Sequence, residues 1–159
     1  AHLLAQLEAG ELDFVVLEGV FNKERYDSFL LRPEPYIGIC PPGHPLDGQT
    51  VSPEALLGQR LILREEGSGT RDLLERSLAQ CGYTVGAFSG TVCVSSFKVI
   101  RDLVCAGYGI SFVYAAVAAD KPAPGRFFCP PLTGSHELNA VWLKGTDAGA
   151  LARAFAAGL

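Results

Sequence analysis

Methionine is absent from all 159 residues, and tryptophan occurs once. No stretch of the chain is apolar for long enough to span a bilayer, which takes about 20 consecutive residues. No signal peptide is recognisable either, so neither a membrane role nor export is expected. Basic charge is in short supply: 13 Lys and Arg stand against 17 Asp and Glu, for a net charge of −4. Nucleic acid is gripped by a basic face, so this chain is not expected to hold it alone. Arg71, Arg76, Lys98 and Arg101 are interleaved with acids and apolar residues, and they read as solvated helix surface.

Metal and redox chemistry are poorly provided for. Cys40, Cys81, Cys93, Cys105 and Cys129 form an odd set without a C-x-x-C pair, which argues against a zinc site or a disulfide framework. Unpaired cysteines fit a reducing cytoplasm, and most should be small buried apolar residues. Cys93 is the exception whose place beside a candidate site leaves a redox role open. His2, His44 and His136 are far apart and lack companions at metal-ligand spacing. No metal and no cofactor are therefore expected. The chain starts with His2-Leu3-Leu4-Ala5-Gln6-Leu7-Glu8, which reads as the middle of a helix. Together with the missing methionine, this predicts a fragment or processed piece of a longer protein.

What is present is an alternation of strands and helices. Leu3, Leu4 and Leu7 mark one face of a helix that Gly10 should end. Residues 12–17 form a nearly continuous apolar run, as in a strand buried on both faces, closed by Glu18-Gly19. Pro33 and Pro35 exclude a helix ahead of a strand over residues 36–40. Ser52-Pro53 should open a short helix over 51–57, followed by a strand at 60–64 and a helix over about 70–81. A strand at 91–94, a helix over 97–105, a strand at 109–113 and an alanine-rich helix at 114–119 come next. Prolines and glycines from 122 to 134 predict a connection with little regular structure, before a strand at 136–143 and a helix over 147–157. This order predicts an α/β fold with mostly parallel sheets, in which ligands sit at the carboxyl ends of strands.

Two strand-to-helix turns occupy such ends. In Arg64-Glu65-Glu66-Gly67-Ser68-Gly69-Thr70-Arg71 a strand runs into a glycine-serine turn that opens a helix. A helix N-terminus carries free N–H groups and the positive end of the macrodipole, so it favours an anion. Gly69 lets the backbone come close, and the Ser68 and Thr70 hydroxyls can donate. Ser95 and Ser96 open the next helix in the same manner. Ser68 and Ser96 are equally well read as simple N-caps. Glu18 is a weaker candidate, since exposure alone explains a lone glutamate.

The order of these pieces resembles the effector-binding domain of LysR-type transcriptional regulators. The resemblance is carried by residues 7–16, Gly43-His44-Pro45-Leu46, residues 65–71, residues 100–111 and the closing Val141-Trp142-Leu143-Lys144 strand, and it extends over essentially the whole chain. The turn at 65–71 looks most like the subgroup that includes regulators of carbon fixation and sulfur assimilation. The resemblance implies a two-lobed fold like type II periplasmic binding proteins, with an effector between the lobes. Residues 34–125 would be the second lobe, and 1–33 with 126–159 an incomplete first lobe. Ser68, Gly69, Thr70 and Ser95 or Ser96 would be effector contacts. The winged helix-turn-helix of such regulators, and the first strand and helix of their effector domain, have no counterpart here. A sheet lacking its first strand exposes an edge, so self-association is expected.

The expected function is then cytoplasmic sensing of a small anionic metabolite. DNA would be reached only through a winged helix-turn-helix outside this chain. A type II solute-binding protein for a small anion is the alternative. Catalysis by Ser68 is not expected, because Gly67-Ser68-Gly69 is not a G-x-S-x-G elbow and no base partner is identifiable.

Overall fold

The computed structural model describes residues 2–18 and 21–158, and its elements follow the apolar periodicity closely in the middle of the chain. Helix α1 is His2–Glu8, β1 is Val15–Glu18 and β2 is Tyr26–Cys40. Strand β3 (Arg60–Leu63), helix α2 (Gly69–Gln80), strand β4 (Gly90–Cys93) and helix α3 (Phe97–Cys105) come next. They are followed by β5 (Ser111–Tyr114), β6 (Gly125–Phe127), β7 (Gly134–Leu143) and α4 (Ala148–Ala156). The short helices expected near 51–57 and 114–119 are single 3-10 turns, Pro53–Leu56 and Ala115–Ala118. Too few residues separate their ends to repay nucleating a full α-helix. The stop expected at Gly19 lies outside the described residues.

The chain divides into two compact units, Ala1–Glu34 with His136–Leu159, and Pro35–Ser135. Phe127 pairs with Gly38, and Thr50 forms a parallel bridge to Phe128, which ties residues 126–128 to β2 and the turn before Pro53 in the second unit.

In the first unit, β1 runs antiparallel to β7, with Val15 opposite Val141 and Glu18 opposite Leu138. Strand β7 in turn lies beside β2. Leu7, Val15, Tyr26 and Val141 form one core cluster, and Ala140, Trp142 and Ala152 another. Strand β1 is not buried on both faces as its composition suggested: Val15 is buried while Val16 is exposed. It stands at the end of the strand order, paired with β7 alone among the described strands.

The second unit is built on a β3-α2-β4 crossover, which brings β3 and β4 together in parallel. Leu61 bridges to Ile110 in parallel, joining β3 to the start of β5. Strand β2 runs antiparallel to both β5 and β6, so the sheets are mixed and not mostly parallel. Strand β2 enters before the crossover units and runs against their direction. Side chains alternate across these strands. Tyr36, Leu61, Leu63 and Phe112 point to the side where Leu74 and Leu78 of α2 pack. Ile37, Ile39, Ile62 and Val113 point to the other, where Ile100 and Val104 of α3 pack. Helices α2 and α3 therefore cover opposite faces.

One strand was read too short and another was missed. Residues 26–35 belong to β2, which passes straight through Pro33 and Pro35. Both prolines are exposed, and an extended backbone accommodates their fixed φ where no ladder donor is needed. Strand β6 lies inside the stretch read as irregular, held by its pairing to residues 38–40.

Candidate functional site

Gly67, at φ 82°, turns the chain from the end of β3 into α2, in backbone territory that suits glycine. Ser68 follows as the N-cap with extended backbone, yet its side chain makes no capping hydrogen bond. Its hydroxyl lies 3.1 Å from the Thr70 hydroxyl instead. The first turn of α2 thus has no side-chain cap, and the helical ladder begins with the Asp72 N–H donating to the Ser68 carbonyl at 3.0 Å. A Cβ placed on Gly69 would meet nothing within 4 Å, so the backbone there borders open space. Thr70 is buried, and its carbonyl accepts a hydrogen bond from the Tyr36 hydroxyl at 3.1 Å, which ties the turn to β2.

Helix α3 repeats the pattern. Ser96 is its N-cap in extended conformation, again without a side-chain cap, while Ser95 is exposed and Ser96 half-buried. The register explains how the two turns are related. Leu63 stands opposite Cys93 in the parallel β3/β4 pair, and the Val94 N–H donates to the Leu63 carbonyl at 2.9 Å. Both turns therefore leave the same carboxyl end of two adjacent strands. Ser68, Gly69 and Thr70 follow β3, and Ser95 and Ser96 follow β4, all within the second unit.

The charges around these turns are arranged in pairs. Arg64 donates to both carboxylate oxygens of Glu65, at 2.8 and 2.9 Å. Those bonds hold the Glu65 carboxyl down to about 2, so it is a carboxylate at neutral pH. Arg71 donates to Glu75 at 2.7 Å and to Glu66 at 3.4 Å. The expectation that Arg71 and Arg101 are solvated surface is overturned, for their side chains are only 11% and 7% exposed. Each compensates its burial with several acceptors. Arg101 donates to the Val117 carbonyl at 3.3 Å and to Asp120 at 3.1 Å, fastening α3 to the turn after β5. An arginine in the first turn of a helix opposes the macrodipole, and that anomaly was the readable signal that Arg71 has partners elsewhere.

All five cysteines are free. Burial pushes the Cys40 and Cys129 thiols up to about 11, which leaves them protonated and unreactive. Cys93 is exposed at the end of β4, with its sulfur 3.3 Å from Arg71 Nη1. Glu18 ends β1 in the first unit and is half-buried. The Nδ1 atom of His44 accepts from the Leu46 N–H at 3.2 Å, within its own turn. Among the described residues no cluster of His, Cys, Asp and Glu could hold a metal ion, and no helix is long and apolar enough to cross a membrane. A groove of about 360 Å³ in the first unit, bordered by Leu7, Leu12, Leu143 and Leu151, was not anticipated, and none of the five candidates lines it.

Comparison with known proteins adds a family. A model of the LysR substrate binding domain matches residues 1–159. An uncharacterized HTH-type transcriptional regulator of Methanocaldococcus jannaschii is 31% identical over 138 residues, which is 86% of this chain and 46% of that protein. The HTH-type transcriptional regulator CbbR of Cereibacter sphaeroides is 32% identical over 120 residues, 75% of this chain and 38% of that protein. The chain thus spans less than half the length of these relatives. Among solved structures, the regulatory domain of Synechocystis PCC6803 CcmR in complex with 2-PG superimposes with a TM-score of 0.82 at 17% identity, over 97% of this chain and 74% of that one. That likeness speaks to the fold.

Proposed function

The chain belongs to the LysR substrate-binding domain family, and from that premise we propose that it is the effector-sensing part of a transcriptional regulator, binding a small anionic metabolite at the α2 and α3 turns. The observation that carries this reading is the uncapped first turn of α2, where the Ser68 and Thr70 hydroxyls lie 3.1 Å apart and neither caps the helix. Free N–H groups, the positive end of the dipole and a hydrogen-bonded hydroxyl pair with one proton left to donate together suit an oxyanion. The solved CcmR neighbour, a complex with 2-PG, supports a small ligand in this fold. The regulator relatives favour this function over a transport-type binding protein. No catalytic role is assigned to Ser68.

On this reading Pro35–Ser135 is the second lobe of the effector domain, and the other unit is part of the first. The effector acts by binding one arrangement of the protein better than another. DNA is contacted by a winged helix-turn-helix outside this chain, and the intact regulator works in the cytoplasm without a cofactor.

A thermal-melt panel against sulfate, phosphate, carboxylates and 2-PG at matched ionic strength tests the site. A ligand at one hundred times its dissociation constant adds about 2.7 kcal/mol, a shift of several degrees at this size. The shift should be selective and should disappear in Ser68→Ala. An unchanged melt with every anion, or a shift that survives Ser68→Ala, would sink the reading.

Self-association belongs to the same proposal. Strand β1 stands at the end of its sheet order with Val16 exposed, an edge that invites pairing with a second copy. Sedimentation should show a concentration-dependent dimer or larger species; a strict monomer over a wide range of concentration counts against it.

A further inference from the structure

Two arginines link the candidate turns to one another. Arg64 directly follows β3, and its side chain is 20% exposed. One side of it is fixed by the two bonds to Glu65, in the turn that leads to α2. Its guanidinium carbon also lies 4.4 Å from the ring centroid of Phe97, the first residue of α3. One planar cation thus touches the approach to both helices. Arg71 makes a second link. Its Nη1 donates to the Arg64 carbonyl and to the Cys93 sulfur, each at 3.3 Å, so it spans the ends of β3 and β4.

We infer that Arg64 stacked on Phe97, with Arg71 bridging the strand ends, is a clasp of positioning residues that holds the Ser68–Thr70 and Ser95–Ser96 turns in one arrangement and thereby sets anion affinity. The inference rests on the anion-binding reading above. Its physical basis is preorganisation: turns held in the bound arrangement pay less ordering entropy when a ligand arrives. The clasp also meets an electrostatic need. Glu65 and Glu66 flank the anion turn and would repel a negative ligand, yet each is paired to one of the two arginines. Lysine could replace the charge of Arg64 but neither the forked bond to Glu65 nor the flat face against Phe97.

The test uses the full chain in two parts. Without ligand, the Arg64 side-chain resonances should be shifted upfield by the Phe97 ring, and the shift should vanish in Phe97→Leu. Unshifted resonances in the wild type overturn the clasp. With ligand, dissociation constants for 2-PG and inorganic phosphate are measured in the wild type, Ser68→Ala, Arg64→Lys, Phe97→Leu and Phe97→Tyr. Loss of the cation–π contact should weaken binding by about fivefold in Phe97→Leu, and Phe97→Tyr, which keeps a ring, should restore it. A purely structural Phe97 would lower the melting temperature of the leucine variant and leave the affinity of its folded fraction alone. If Ser68→Ala loses binding while Phe97→Leu and Arg64→Lys bind as the wild type does, the clasp is wrong and the anion site stands. If the wild type takes up neither probe, the anion site fails, and the positioning role fails with it.

Discussion

A Gly109→Ala chain should lose about 3 kcal/mol of stability, because the added methyl has no room and the obstacle cannot move. A Cβ at this position would press on the Arg60 carbonyl oxygen and lie 3.1 Å from its carbon. Main chain cannot swing aside as a flexible side chain can. The close approach exists for a reason: the Ile110 N–H donates to the Arg60 carbonyl at 2.9 Å, and the Ile62 N–H donates to the Ile110 carbonyl at 2.8 Å. Pushing residue 109 away strains both bonds, the ones that join β3 to β5. Urea denaturation should show a lower midpoint with little change in slope. Strand β3 also carries the Ser68 turn, so anion binding by the remaining folded protein should weaken in parallel. A variant within about 0.5 kcal/mol of wild type, the range of an ordinary surface change, would mean that the strands separate freely there.

The second large effect lies at Gly38 and Phe127, which face each other across β2 and β6. Phe127 is fully buried and meets Phe112 edge-on at 5.6 Å between centroids. A Cβ on Gly38 would enter the volume of the Phe127 ring, with all three nearest atoms of that ring under 3.0 Å away. Phe127→Ala should cost about 3–5 kcal/mol through the cavity it leaves. Gly38→Ala should cost about 1–3 kcal/mol through overpacking. The double variant is the informative one. A methyl on residue 38 partly fills the space vacated by the ring, so the two costs should fall short of their sum by about 1 kcal/mol or more. Strict additivity in a double-mutant cycle would show that Gly38 is glycine for some cause other than Phe127.

These two glycines show where reading the residues in order stops. The helices α2 and α3 are legible because their apolar positions recur at helical spacing between clear stop signals, and their observed ranges differ from expectation by a residue or less. The strands following Gly58 and Ser89 are legible for similar local reasons. What depends on partners distant in sequence is not. Strand β6 has a local composition that argues for a loop, and only its pairing with β2 makes it a strand. Pro33 and Pro35 argue for a break, and only exposure at those positions lets β2 continue. Pairing direction is likewise a long-range property, which is why a mostly parallel sheet was expected and a mixed one is found.

At the candidate site the same division holds. The two glycine- and serine-rich turns can be picked out by eye, because strand, turn and helix succeed one another without interruption. That neither Ser68 nor Ser96 spends its side chain on capping depends on rotamer and contact, and leaves no trace in the order of residues. The burial of Arg71 and Arg101 is hidden as well. An arginine among acids at helical spacing looks solvated until the strand ends and the turn after β5 are placed beside it.

The division of the chain has a consequence for the newly made polypeptide. Residues 35–135 are one uninterrupted segment, whereas the other unit takes its residues from both ends of the chain. Strands β3 to β6 and helices α2 and α3 can assemble while β7 and α4 have yet to be synthesised, since domains fold as units during synthesis. Over that interval Leu7, Val15 and Tyr26 lack Val141, the residue that completes their core cluster. Folding of the inner segment then shortens the effective loop between β2 and β7, neighbours in the sheet, and so lowers the entropic cost of their late pairing. Until β7 arrives, Leu7, Val15 and Tyr26 are an apolar surface in waiting, and whatever meets it first, chaperone or sister molecule, competes with β7.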